Sequence, residues 1–282
     1  MPSPFTLPGP FGMPLDGLLD LPDPGRFPGQ RPAVVICHGF KGFMEWGFFP
    51  HLAALLAERG FVAVRFNVSG SGMRPGEDRV ADPDAFRADT HSRELAEVLA
   101  VLAAVRDGAA PFSSARIDPA RIGLFGHSRG GANALLASAA SPVRALVTWA
   151  AISDFDRYTA EQKEAWRRDG ELPVVNARTG QPLALGLGLL EDIEAHRTEL
   201  DVLAAASRRS APWLIVHGED DESVPAAEAR RLAEASRSGN PAELLLVPGA
   251  NHTFGARHPF AGPNPRLIQA LNATQVWLRR FL

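Results

Sequence analysis

The residues best equipped for chemistry in this 282-residue chain form one short run, Gly126-His127-Ser128-Arg129-Gly130. A serine hydroxyl is a weak nucleophile at neutral pH and attacks only when a neighbouring base takes its proton. The flanking glycines suit a turn tight enough to hold that hydroxyl outward, because a Cβ at either position would meet backbone folding past it. Imidazole is the base whose ordinary pKa fits the task near pH 7. A carboxylate behind it fixes the tautomer and stabilises the imidazolium that forms. The same five residues also suit a serine that merely caps a helix, so the surrounding elements and partners decide.

Those elements alternate. Residues 121–125 read as an apolar strand entering the turn, and Ala132, Leu135, Leu136 and Ala139 give the following segment a helical apolar face. Continuous apolar runs at 33–38, 61–66, 143–150, 212–218 and 243–247 predict further strands buried on both faces. Helices are expected over 50–60, 84–106, 225–239 and 265–282, and residues 1–31 suit an edge hairpin. Such alternation predicts an α/β fold, a mostly parallel central sheet with helices on both faces. Between 153 and 209 the alternation breaks: a helix-like stretch at 158–168, a turn at Thr179-Gly180 within 172–185, then a helix-like stretch at 189–206. The expected organisation is a core of 1–152 and 210–282 with a lid or cap insertion, 153–209, over the active-site end; a peripheral decoration is the other reading.

Candidate partners for Ser128 lie in loops after strands. His252 sits between the last strand and the terminal helix, beside Pro248, Gly249 and Asn251, with His258 a substitute six residues on. Asp220 and Asp221 follow strand 212–218, and Asp154 follows strand 143–150. His38, His127 and His217 end buried strands and suit structural roles, while His51, His91 and His196 look ordinary in helix-like stretches. Phe40, Phe43, Trp46, Phe48, Phe49, Trp149 and Trp166 suit either an apolar acyl or alcohol pocket or simply the core. The Arg129 and Lys41 side chains suit either a carboxylate-bearing substrate or solvated surface.

Composition excludes several classes. With 45% hydrophobic and 22% charged residues and a formal charge of −3, nothing favours nucleic acid or an anionic membrane as partner. One cysteine, Cys37, allows no intrachain disulfide and no cysteine metal cluster. No apolar stretch is long enough to span a membrane, and the N-terminal residues carry no basic segment ahead of an apolar core. A cytoplasmic protein acting on a small molecule is expected, with its oligomeric state unknown.

The chain resembles the α/β-hydrolase superfamily over essentially its whole length outside 153–209. The resemblance rests on His38-Gly39-Phe40, the Gly126–Gly131 turn, the run from His217 to Pro225, and Gly249-Ala250-Asn251-His252. More narrowly it is similar to the dienelactone-hydrolase-like and prolyl-oligopeptidase-like serine hydrolases. It implies an α/β-hydrolase fold with a lid insertion after the sixth core strand, and a Ser…Asp…His order filled by Ser128, Asp221 and His252. Asp221 is favoured over Asp220 because the acid in similar hydrolases lies three residues before a Val-Pro pair, here Val224-Pro225. Resemblance and geometry together give the backbone N–H groups of Phe40 and Arg129 as the oxyanion hole. The implied activity is cleavage of carboxylic esters through an acyl-enzyme, without metal or organic cofactor. Peptidase, amidase or thioesterase chemistry by the same mechanism is the alternative, followed by a non-catalytic binding protein. These 282 residues include no stretch expected to form the propeller of prolyl oligopeptidases, so their peptide selectivity is not carried over.

Overall fold

The computed structural model describes residues 1–282. An N-terminal hairpin, β1 (Ser3–Pro8) and β2 (Pro14–Asp20), forms the antiparallel edge of an eight-stranded sheet. Next comes β3 (Arg31–Cys37), fully buried from Ala33 onward, as its continuous apolar run requires. Helix α1 (Phe49–Ala57), with Pro50 in its first turn, buries Phe49, Leu52, Ala53 and Leu56 and leads into β4 (Val62–Phe66).

The single helix expected over 84–106 is instead two, α2 (Pro83–Arg87) and α3 (His91–Asp107). Each has its own N-cap: Asp82 accepts from the Ala85 N–H at 2.9 Å and Thr90 from the Arg93 N–H at 3.4 Å. The break leaves Asp89 buried at the start of α3. Strand β5 (Ile117–His127), helix α4 (Arg129–Ala140) and β6 (Ala145–Trp149) follow.

Past β6 the chain builds α5 (Ala160–Asp169), the separate hairpin of β7 (Glu171–Asn176) and β8 (Gln181–Gly186), then α6 (Leu187–Ala195) and α7 (Val202–Arg208). Helix α7 packs against α4 and α8 (Ala226–Ser236), so the final helix of the expected insertion lies in the layer of core helices. Strands β9 (Trp213–Gly218) and β10 (Glu243–Val247) and the terminal helix α9 (Pro265–Phe281) complete the chain.

The sheet order is β1-β2-β4-β3-β5-β6-β9-β10, parallel from β4 to β10. Helices α3, α4, α7 and α8 cover one face, and α1 and α9 the other. All six parallel strands therefore end on one side, and loops after β3, β5, β9 and β10 meet there. No helix is long and apolar enough to cross a membrane.

Candidate active site

Ser128 occupies the turn between β5 and α4 with φ +57° and ψ −123°, a conformation that costs a non-glycine residue on the order of 1–3 kcal/mol. Its surroundings explain why it persists. The Ser128 N–H donates to the Trp149 carbonyl at 2.9 Å, fixing the turn to the end of β6. The glycines are sterically required: a Cβ on Gly126 would lie 2.2 Å from the Gly130 carbonyl oxygen, and one on Gly130 would lie 2.2 Å from that of His38. On the far side Gly39 approaches so closely that its Cβ would stand 2.9 Å from Ser128 Cβ. Only glycine at these positions lets the β3 loop, the serine and the start of α4 share the space.

The acid and the imidazole come from the β9 and β10 loops, which backbone hydrogen bonds tie together: Glu219 N–H to the Val247 carbonyl at 3.1 Å and Asp220 N–H to the Ala250 carbonyl at 2.9 Å. Asp221 is 5% exposed, whereas Asp220 and Asp154 are exposed. Asp221 Oδ1 accepts the Ser223 and Val224 N–H groups at 2.9 and 2.8 Å, and Oδ2 accepts from His252 Nδ1 at 2.8 Å. His217 Nε2 lies 3.4 Å from the same Oδ2 and 2.8 Å from the Val224 carbonyl. Burial alone would raise the Asp221 pKa, but the hydrogen bonds from His217 and His252 and the nearby backbone donor hold it well below the usual carboxylate range. With Nδ1 committed to that carboxylate, the His252 ring keeps Nε2 for a proton.

His127, beside the serine, is kept neutral by burial, its pKa pushed down to about 3. Its Nε2 donates to the His252 carbonyl at 2.9 Å and so holds the loop rather than the reaction. His258 is turned away: its Nδ1 accepts the Gly47 N–H at 3.1 Å and its ring meets the edge of Phe43.

The two residues whose N–H groups the sequence offered as an oxyanion hole, Phe40 and Arg129, both line the cavity with Ser128. Arg129 opens α4, where the first N–H groups have no intrahelical acceptor and the helix dipole favours negative charge. The Phe40 N–H makes no backbone hydrogen bond. Their side chains stack, the Arg129 guanidinium lying 4.1 Å from the Phe40 ring centroid. Arg129 is not solvated surface, as one reading of the sequence had it, but 8% exposed. Its Nη1 donates to Glu94 at 2.8 Å and lies 3.6 Å from Asp89, while Asn133 donates to the other Glu94 oxygen at 2.6 Å. Burial would raise the Glu94 pKa, but Arg129 brings it down to about 2; burial and the Glu94 charge push that of Asp89 well up.

Ser128, Phe40, Arg129 and His252 line one cavity of about 360 Å³, together with Lys41, His91, Ile152, Phe155, Arg157, Tyr158, Ser223 and Val224. Of the aromatic residues expected to shape a pocket, only Phe40 does so. Phe48, Phe49 and Trp149 pack into the core under α1 and α9, Trp46 packs against that cluster, Phe43 is buried, and Trp166 is fully buried against Tyr158. The cavity takes its aromatic surface from Phe155 and Tyr158 instead. His91, ordinary by sequence, also lines it; burial keeps it neutral with a pKa of about 3, and its Nδ1 has no partner.

Comparison with known proteins agrees with this architecture. An uncharacterized protein of Mycobacterium tuberculosis is 27% identical over 79% of this chain, which spans 64% of that protein's length. Among solved structures, Est1E from Butyrivibrio proteoclasticus superposes with a TM-score of 0.67 at 20% identity, covering 99% of this chain and 98% of its own. A puromycin-hydrolyzing peptidase of Mycobacterium tuberculosis superposes with a TM-score of 0.70 at 23% identity, over 100% of this chain but 39% of its own. The fold is that of the α/β serine hydrolases. The sequence pattern of the prolyl oligopeptidase family matches residues 46–264, a span that holds Ser128, Asp221 and His252, and the chain belongs to that family.

Proposed function

We propose that this chain hydrolyses carboxylic esters through Ser128, His252 and Asp221, by way of an acyl-enzyme. The observation that carries the reading is a serine on a strained turn sharing one cavity with an imidazole whose Nδ1 is held by a buried carboxylate at 2.8 Å. Ser128 Oγ bonds to the ester carbonyl carbon as its proton passes to His252 Nε2. The carbonyl oxygen becomes an oxyanion facing the Phe40 and Arg129 N–H groups, donors each worth roughly two to three orders of magnitude in rate. The carbon–alkoxide bond then breaks, and His252 protonates the departing alkoxide. Water repeats the sequence on the acyl-enzyme, His252 taking its proton and returning one to Ser128 as the acid leaves.

In the same reading the segment after Ile152 covers the cavity with Phe155, Arg157 and Tyr158, and this cover ends before α7, which packs with the core helices. Amide or peptide cleavage by the same groups is the second reading, favoured by the family match and the puromycin-hydrolyzing neighbour. Preference for aminoacyl-arylamides over aryl esters would select it.

Ser128→Ala is expected to lower kcat for 4-nitrophenyl acetate by at least about 10⁴-fold with the Tm retained. A fluorophosphonate probe is expected to label the wild-type chain at position 128. Wild-type rates in the variant would refute the assignment of Ser128 as the nucleophile; absence of both turnover and labelling in the wild-type chain would return it to the binding-protein reading.

A further inference from the structure

Taking Ser128 as the nucleophile, we propose that the site selects acyl compounds carrying an anionic group, a carboxylate in the simplest case, and that Lys41 and Arg157 receive it. The residues lining the cavity include three cations and no aspartate or glutamate. Arg129 is answered by Glu94 at 2.8 Å. Lys41 and Arg157 are not answered by any carboxylate: Lys41 Nζ donates to the Val175 carbonyl at 3.0 Å, and Arg157 Nη2 to the Ser223 carbonyl at 3.0 Å. A carbonyl dipole satisfies a donor but leaves the charge uncompensated, and both side chains retain further donors for a ligand.

The backbone supplies an independent argument. Lys41 has φ +57°, in the left-handed region where glycine or asparagine sits at lower cost. It directly follows Phe40, and its ammonium lies 5.0 Å from the Phe40 ring centroid. A lysine held there against its backbone preference is consistent with a demand for its side chain. Burial, and the neighbouring Arg129 charge, both push the Lys41 pKa down, as expected for an ammonium lacking a counter-charge. His91 adds a buried imidazole to the lining of the same cavity, with Nδ1 unpartnered. Phe40, Ile152 and Phe155 supply the apolar surface for the rest of such a molecule. An ammonium-bearing substrate, by contrast, would meet like charge.

The test compares matched esters. For an anion on the acyl side, the pair is the 4-nitrophenyl monoester of glutaric acid against 4-nitrophenyl pentanoate. For one on the leaving-group side, it is 4-acetoxybenzoate against 4-acetoxybenzamide. In one of the two pairs the anionic member should have a kcat/KM about tenfold higher or more, falling as salt is raised from 50 to 500 mM. Lys41→Met and Arg157→Leu should each reduce that ratio severalfold, and the double variant should bring it near one. Protection of Ser128 from fluorophosphonate labelling by glutarate should be lost in the same double variant.

Turnover of neutral esters with no anion preference in either pair overturns this inference and leaves the hydrolase reading standing. An anion preference unchanged in the double variant overturns the assignment to Lys41 and Arg157. Absence of both turnover and labelling removes the hydrolase reading, and this inference with it.

Discussion

On one side of Ser128 a carboxylate is held mainly by nearby backbone; on the other, an arginine is held by distant side chains. Asp221 takes two N–H groups from residues two and three positions along its own loop, and its remaining oxygen faces His252 and His217. Arg129 depends on Glu94, 35 residues earlier, with Asp89 and Asn133 completing the cluster. Stripping the charge from Asp221 should therefore damage chemistry more than folding, because an asparagine oxygen can still accept the loop amides. Stripping it from Glu94 leaves the buried guanidinium with only Asp89, 3.6 Å away, to balance it, which should damage folding first.

The largest expected effect lies on the imidazole side. Asp221→Asn should reduce kcat for 4-nitrophenyl acetate by about 10³–10⁴-fold, since the ring loses its tautomer lock, with little change in urea midpoint. Asp220→Asn, at an exposed position, should stay within about twofold of wild type. The reverse ranking would move the acid to Asp220. Glu94→Gln should cost about 1–3 kcal/mol of stability in urea titrations, the loss of a buried charge-assisted hydrogen bond with Asp89 still beside the guanidinium. It should also lower kcat more than it raises KM, because Arg129 carries one proposed oxyanion donor and stacks on the residue that carries the other. A variant as stable as wild type would mean that the Arg129 cluster contributes little to folding.

The smallest effect concerns pH and belongs to both sides. His91 and His127 have folded pKa values near 3, and burial lowers that of His38 as well. The unfolded chain protonates these rings near pH 6.5, so it binds more protons below that value. Their contribution to stability is full above about pH 6.5 and is lost as pH falls toward 3; Asp221, also depressed, adds to the loss only below about pH 4. Asp89, with its raised pKa, acts in the opposite sense, its contribution lost as pH rises through the folded value. Tm should fall between pH 6.5 and 4.5, and His91→Gln should flatten that slope by at most about 1.4 kcal/mol per pH unit. An unchanged slope would show His91 protonated in the fold.

The same contrast explains what the sequence could reveal. The positions of the buried strands, the glycine-bounded turn and the loops carrying Asp221 and His252 follow from local patterns: apolar runs, glycine spacing and chain order. The Glu94–Arg129–Asp89 cluster does not, because nothing local marks a helical glutamate as buried or tells which arginine it meets. A signal for the break before α3 was nevertheless present. Asp82-Pro83 and Thr90 are both helix starts, and two starts within one apolar periodicity argue for two helices. The aromatic run from Phe40 to Phe49 misled for the opposite reason: its composition suits a pocket or a core equally, and only packing sent most of it beneath α1.

The glycines of the serine turn also limit what evolution or an engineer can change there. Gly126 is blocked by the carbonyl of Gly130, and Gly130 in turn by that of His38, so each obstacle is main chain with no smaller substitute. Gly123, three residues upstream on the same strand, is blocked at 2.8 Å only by a methyl of the terminal Leu282. A mutational library should therefore recover alanine at 123, with compensating changes at 282, long before it recovers any side chain at 126 or 130.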